Sequence, residues 1–99
     1  GFIPNSQTIV TLISGLVNNK LVEKAFKFLD EAEKNGESDN YNVFVYNVAI
    51  KMFGIADRFD FVQKTWGMLS RNKFVQPDYT TYSTLLHYYT KKLKYHLVI

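Results

Sequence analysis

Cysteine is absent from the 99 residues. That excludes a disulfide scaffold, a thiolate zinc site and a cysteine nucleophile. No apolar run approaches the roughly 20 residues a helix needs to cross a bilayer. The opening Gly1-Phe2-Ile3-Pro4-Asn5 is neither a signal peptide nor a basic presequence. Strong charge is also missing: 12 basic residues stand against 9 acidic ones, a net +3 that does not by itself argue for a polyanionic partner. A phosphate-cradling glycine loop is lacking. His87 and His96 are nine apart with no carboxylate at helical spacing, so neither a metal pair nor a catalytic dyad is implied. Any catalysis is expected to lie outside this segment, and no cofactor is expected.

What is present is apolar and patterned. At 46% hydrophobic and 21% charged, the chain has enough apolar surface to bury a core. The length suits one domain and is too short for two. The abrupt start and the ending Leu97-Val98-Ile99 lead us to expect a piece of something longer.

The chain repeats. Residues 8–14 (TIVTLIS), 45–51 (VYNVAIK) and 81–87 (TYSTLLH) align without gaps at offsets of 37 and 36. Residues 22–29 (VEKAFKFL) and 59–66 (FDFVQKTW) align at the same offset of 37. Pro4-Asn5 precedes the first segment and Pro77-Asp78 the third; residues 36–40 (GESDN) take that place before the second. The periodicity within each unit is helical. Ile9, Leu12, Ile13 and Leu16 form one face. After the break at Asn18-Asn19-Lys20, Val22, Ala25, Phe26, Leu29 and Ala32 form another. Gly36 suits a helix C-terminus. The spacing predicts further helices over 44–56, 59–71 and 79–90, and the start of another at 93–99. A strand over 41–48 is the alternative that β-branched residues and tyrosines raise; repeat register argues against it. Asp78 is placed to cap the helix after it, and Asp57 and Asp60 to cap the one near 59. Phe26, Phe28, Phe59, Phe61 and Trp66 read as packing residues. The fold class is therefore all-α, an α-solenoid of stacked helix–turn–helix units with first helices on one surface and second helices on the other. Leu85, Leu86 and Tyr89 are expected on an uncovered face.

Pro4-Asn5, Thr11-Leu12-Ile13, Val22-Glu23-Lys24-Ala25 and Gly36 resemble the pentatricopeptide repeat. Tyr46-Asn47-Val48-Ala49-Ile50 and residues 77–86 (PDYTTYSTLL) resemble its opening more closely. The resemblance spans about two and a half repeats: the tail of a preceding repeat (1–5), a repeat at 6–42, another at 43–78 and the first half of a third at 79–99. Ile9, Val10, Val62 and Lys73 depart from the motif. The tetratricopeptide repeat is the nearest competitor, but its first-helix Trp and Leu-Gly signature is absent, Trp66 lying in a second helix.

The resemblance implies a right-handed solenoid that binds single-stranded RNA at about one base per repeat. It implies that the second, fifth and last residues of each repeat read the base. The second and fifth are three apart and share a helix face. In the first repeat these are Gln7 and Val10, with Asn42 (or Asn40) last. In the second they are Phe44, Asn47 and Asp78, and in the third Thr80 and Ser83. Asn5 would close the preceding repeat. Phe44 suits stacking on a base, whereas Val10 has no hydrogen bond to offer. Asn with Asp is the family's pairing for uracil. For Asn47 the alternative is a solvent-facing helix polar residue, and for Phe44 a packing residue. Residues 1–78 are neutral, and the whole +3 comes from Lys91, Lys92 and Lys94. With His87, Tyr88, Tyr89 and Tyr95 these lysines suit phosphate contact, or merely favour a helix C-terminus. Lys51 occupies the place equivalent to His87. The family resemblance further implies a mitochondrial, alternatively plastid, protein of RNA processing, stability or translation. The competing function is a protein–protein scaffold in a larger assembly such as an organellar ribosome.

Overall fold

A computed structural model describes residues 5–98, with side chains described through Lys94. Residues 1–4 and Ile99 therefore lie outside it, as do the side chains of Tyr95 and His96. The elements are α1 (Ser6–Asn18), α2 (Val22–Lys34), a short 3-10 turn (Glu37–Asn40), α3 (Val43–Ile55), α4 (Phe59–Arg71) and α5 (Tyr79–Val98). No strand occurs among the described residues, and 43–48 is helical. No helix of the described residues is long and apolar enough to cross a membrane.

The helices form two layers. In one, α3 lies between α1 and α5; in the other, α2 packs on α1 and α4 on α3. The period of 37 seen in the sequence reappears as repeated backbone geometry. At the end of α1 the Lys20 amide donates to the Val17 carbonyl and the Leu21 amide to Leu16. At the end of α3 the Asp57 amide donates to Gly54 and the Arg58 amide to Phe53, the same pattern 37 residues on. Lys20 (φ 64°) and Asp57 (φ 59°) supply the left-handed residue this helix ending requires. Gly36 (φ 77°) does so after α2, where glycine pays no steric penalty. Asp57 thus shapes a turn rather than capping α4, while the carboxylate of Asp60, in the first turn of α4, receives the Arg58 guanidinium at 3.1–3.2 Å and also backbone amides of that turn.

The expected break near residue 91 does not form, and α5 runs unbroken from Tyr79 to Val98. Lys91, Lys92, Leu93 and Lys94 are strong helix formers. The equivalent turns contain Asn18-Asn19 in one case and Gly54 and Asp57 in the other, which are poorer ones.

The core is the shared interior of the two layers. Ile9, Ile13 and Val17 of α1 are buried, as are Ala25, Leu29 and Ala32 of α2. Leu12, expected beside them, is 39% exposed; the buried stripe of α1 runs at every fourth residue and leaves Leu12 on its flank. Of the three α5 residues expected to be bare, Leu85 is buried against the core, Tyr89 is half-buried against it and only Leu86 is open, 70% exposed. Phe26, Phe53 and Phe61 join α2, α3 and α4: Phe26 stacks on Phe61 at 4.4 Å, and Phe53 meets both edge-on at 6.1 and 5.4 Å. Above them Arg58 lies 4.0 Å from the Phe61 ring centre and reaches Glu23 on α2 at 3.5 Å. Burial pushes the Tyr41 hydroxyl pKa up to about 12.

Among the described residues one buried side-chain polar atom lacks a partner. The Thr65 hydroxyl is fully buried and makes no hydrogen bond. An unpaired buried hydroxyl costs about 1–3 kcal/mol, and valine has the same shape without it. Thr65→Val should therefore raise stability by about 1 kcal/mol, read as a later midpoint in urea unfolding. A lower midpoint would mean that the hydroxyl has a partner in solution.

Candidate nucleic-acid interface

The capping residues of the first-layer helices fall in one register. Asn5 accepts from the Thr8 amide at 2.8 Å, Asn42 from Val45 at 3.2 Å and Asp78 from Thr81 at 3.0 Å. Each carries a short polar side chain whose oxygen satisfies a free amide of the first turn. Asn42, rather than Asn40, is thus the counterpart of Asp78; Asn40 lies in the 3-10 turn. These caps are the residues expected to close each repeat.

Beside the third cap the chain brings distant residues together. Asn47 Nδ2 donates to Asp78 Oδ1 at 3.1 Å, across 31 residues of sequence. The Thr81 hydroxyl lies 2.5 Å from Asn47 Oδ1 and accepts from the Asp78 amide at 3.1 Å. Asn47 is therefore no solvent-facing helix residue: it is 7% exposed, and its oxygen and one N–H are already bonded. The Thr81 amide, followed by the Asn47 side chain, holds the Asp78 carboxyl below the usual carboxylate range. Asp78 is accordingly an acceptor-only anion at neutral pH. The same place in the first repeat is apolar, with Val10 half-buried against the core and Val45 fully buried.

Gln7, Phe44 and Thr80, at equivalent places near the starts of α1, α3 and α5, are all exposed. Phe44 is 54% exposed, so it is not a packing residue. Ser83 is exposed too; it lines a shallow groove with Lys51, Thr80 and His87, so the equivalence of Lys51 and His87 becomes physical adjacency. A neighbouring groove holds Ser83, His87, Lys91 and Lys94. Lys91 pairs with Asp57 at 3.1 Å, so part of its charge is spent inside the fold. Lys94 is exposed, Lys92 is half-buried, and neither groove includes Lys92.

Charge divides by layer. The sequences of α1, α3 and α5 contain Lys51, Lys91, Lys92 and Lys94 and no acid. Acidic residues crowd α2 instead, where Glu23 and Glu33 bond across to Arg58 and Arg71 of the next unit. The modest net charge thus conceals a first layer that is wholly basic within its helices. No group of three or more metal-ligating side chains occurs among the described residues.

Thr81 stands out in the sequence only through repeat register, which gives it no functional part. A signal was there all the same: hydroxyls at Thr8 and Thr81 frame a valine at position 45, and the valine coincides with the apolar Val10.

Residues 8–37 match the sequence profile of the pentatricopeptide repeat. A protein of Arabidopsis thaliana named as pentatricopeptide repeat-containing is 28% identical over 98 residues, 99% of this chain. The chain spans 29% of that relative's length. No solved structure gives a significant match. Repeated helix pairs, a shared period and these two matches agree: residues 8–37 match one pentatricopeptide repeat, and the chain as a whole is similar to a pentatricopeptide repeat-containing protein.

Proposed function

We propose that the layer formed by α1, α3 and α5 binds single-stranded RNA, with Asn47 and Asp78 reading one base. In repeat units this divides the chain at 6–42, 43–78 and 79–99, residues 1–5 closing a preceding unit. The observation that carries the proposal is the bond between Asn47 and Asp78. It joins the fifth residue of one unit to its last, so two groups far apart in sequence act as one reader. Its remaining capacity is an Asn47 N–H and a carboxylate oxygen, a donor beside an acceptor. Uracil offers the complement, a keto oxygen beside N3–H; cytosine offers the reverse. Phe44, three residues before Asn47 on α3, supplies an exposed ring for stacking. Lys51, His87 and Lys94 supply phosphate contact along the adjoining grooves. Gln7, Val10 and Asn42 form a weak reader, because Val10 has no polar group.

The function so described is binding, with no chemistry performed by this segment. A role in organellar transcript processing, stability or translation, in a mitochondrion or alternatively a plastid, is the cellular setting we propose. The neutral first 78 residues and the apolar Val10 reader favour the scaffold reading, in which the same face holds protein.

Salt separates the two. Affinity for RNA should fall with added salt at a log–log slope of about −0.7 per phosphate contacted. No binding of single-stranded RNA at low salt would leave the scaffold reading standing. At residue level, Asn47→Ala combined with Asp78→Asn, which keeps a capping oxygen, should reduce the preference for U over C at one base about tenfold. Circular dichroism should show the fold retained. An unchanged preference in a folded variant would remove these residues from the site.

A further inference from the structure

We propose that Thr81 is a positioning residue that sets base preference by fixing which end of the Asn47 amide is open to the base. The proposal rests on the base-reading function above. Thr81 is fully buried, so it does not touch RNA itself. Its hydroxyl accepts from the Asp78 amide at 3.1 Å and stands 2.5 Å from Asn47 Oδ1, nearer than its 3.0 Å to Asp78 Oδ1. A hydroxyl has one hydrogen to give, and the shorter contact directs it to the Asn47 oxygen. Asp78 holds one Nδ2 hydrogen at the other end of the amide. What is left toward a ligand is the second Nδ2 hydrogen, a donor.

The repeats provide an internal control. Where the fifth residue is Asn47, the equivalent hydroxyl is Thr81; where it is the apolar Val10, that place is Val45. In the orientation seen, the Asn47 oxygen faces the buried Thr81 hydroxyl and not the ligand. Without that hydroxyl the buried oxygen has no donor, and Asp78 alone holds the amide against turning its oxygen outward, where it would accept from the exocyclic amine of cytosine. Thr81 disfavours that turned state, so the reader rejects amino bases and keeps keto bases.

The test uses the full chain with adenosine pentanucleotides carrying one central uridine or cytidine, and the ratio of the two affinities from NMR titration. Thr81→Val keeps the shape and deletes the hydroxyl; it should lower the U-over-C ratio about three- to tenfold. Thr81→Ser restores the hydroxyl and should restore the ratio. A merely structural role would weaken both RNAs alike. Should the wild-type chain show no U-over-C preference, the base-reading function fails and this proposal falls with it. Should the wild type prefer U and Thr81→Val keep that preference, Thr81 alone is dismissed. A measurement without variants guards against misfolding of Thr81→Val. The wild-type Thr81 hydroxyl proton should be protected from exchange before RNA is added, and U should shift one Asn47 Nδ2 proton rather than both. A freely exchanging hydroxyl overturns the proposal.

Discussion

Phe53→Ala should destabilise the chain by about 3–5 kcal/mol, the cost of emptying a fully buried phenylalanine site. Phe53 has no exposed surface and meets the rings of Phe26 and Phe61 edge-on. It is the point where α2, α3 and α4 meet, so its removal opens a cavity that no single helix can collapse to fill. Two edge-to-face contacts add about 0.5–1.5 kcal/mol each to the burial term. Stabilities of about 0.05–0.15 kcal/mol per residue are usual, about 5–15 kcal/mol for a chain of this size, so this one change takes a large share of the total. Phe44 is the control. It lies nine residues earlier on α3, two and a half turns away and hence on the opposite side of the helix. Phe44→Ala should move stability by no more than about 0.5 kcal/mol while weakening RNA binding through lost stacking. Guanidinium unfolding followed by circular dichroism measures the first effect, and titration with RNA the second. Equal destabilisation by the two substitutions would show that Phe44 is not free to stack.

This contrast also shows what the sequence made legible. Helix positions followed from spacing, because a buried stripe repeats with the turn of the helix wherever a neighbour covers it. Helices 43–55 and 59–71 lie within a residue of the expected 44–56 and 59–71, and 6–18 and 22–34 carry the two expected apolar faces on either side of the break near 19. Spacing fails where a stripe has only partial cover. Leu12 has the right period and still faces water, and Leu85, expected bare together with Leu86, is buried while Leu86 is open. It fails again where an ending depends on backbone energy rather than pattern. The α1 and α3 endings need a left-handed residue after weak helix formers, and the run 91–94 has none. The reader pair was legible only through the family resemblance, which named Asn47 and Asp78 without saying that they touch. The hydroxyl of Thr81 was hidden for a simpler reason. A threonine in the first turn of a helix is ordinary in composition, and its role appears only when α5 is set against α3.

That contact between α3 and α5 is where the second large effect lies, and Gly54→Ala should expose it. In an open helix the change stabilises by about 0.5–1 kcal/mol, since alanine restricts the unfolded chain more. Gly15 of α1 is such a place, with no atom within 4 Å of where the methyl group would stand, and Gly15→Ala should give that gain. At Gly54 the methyl would stand 2.5 Å from Cγ and Cδ1 and 2.6 Å from Cδ2 of the Tyr88 ring. Those atoms lie at the root of the ring, so they clear the methyl only if the buried Tyr88 leaves its rotamer or α5 shifts. Overpacking of this kind costs about 1–3 kcal/mol, which outweighs the propensity gain, so the net should be destabilising. The damage should also reach the reader. Asn47 sits on α3, while Asp78 and Thr81 open α5, and their bonds of 2.5–3.1 Å tolerate little separation of the two helices. Gly54→Ala should therefore lower RNA affinity and U-over-C preference together, although Gly54 carries no functional group. Trimming the obstacle tests the cause: Tyr88→Ala, itself costly because Tyr88 is buried, should cost less in the Gly54→Ala background than in the wild type, a non-additivity diagnostic of direct contact. If Gly54→Ala instead stabilises as Gly15→Ala does, α5 packs on α3 less closely than its geometry indicates, and the Asn47–Asp78 reader loses its rigid support.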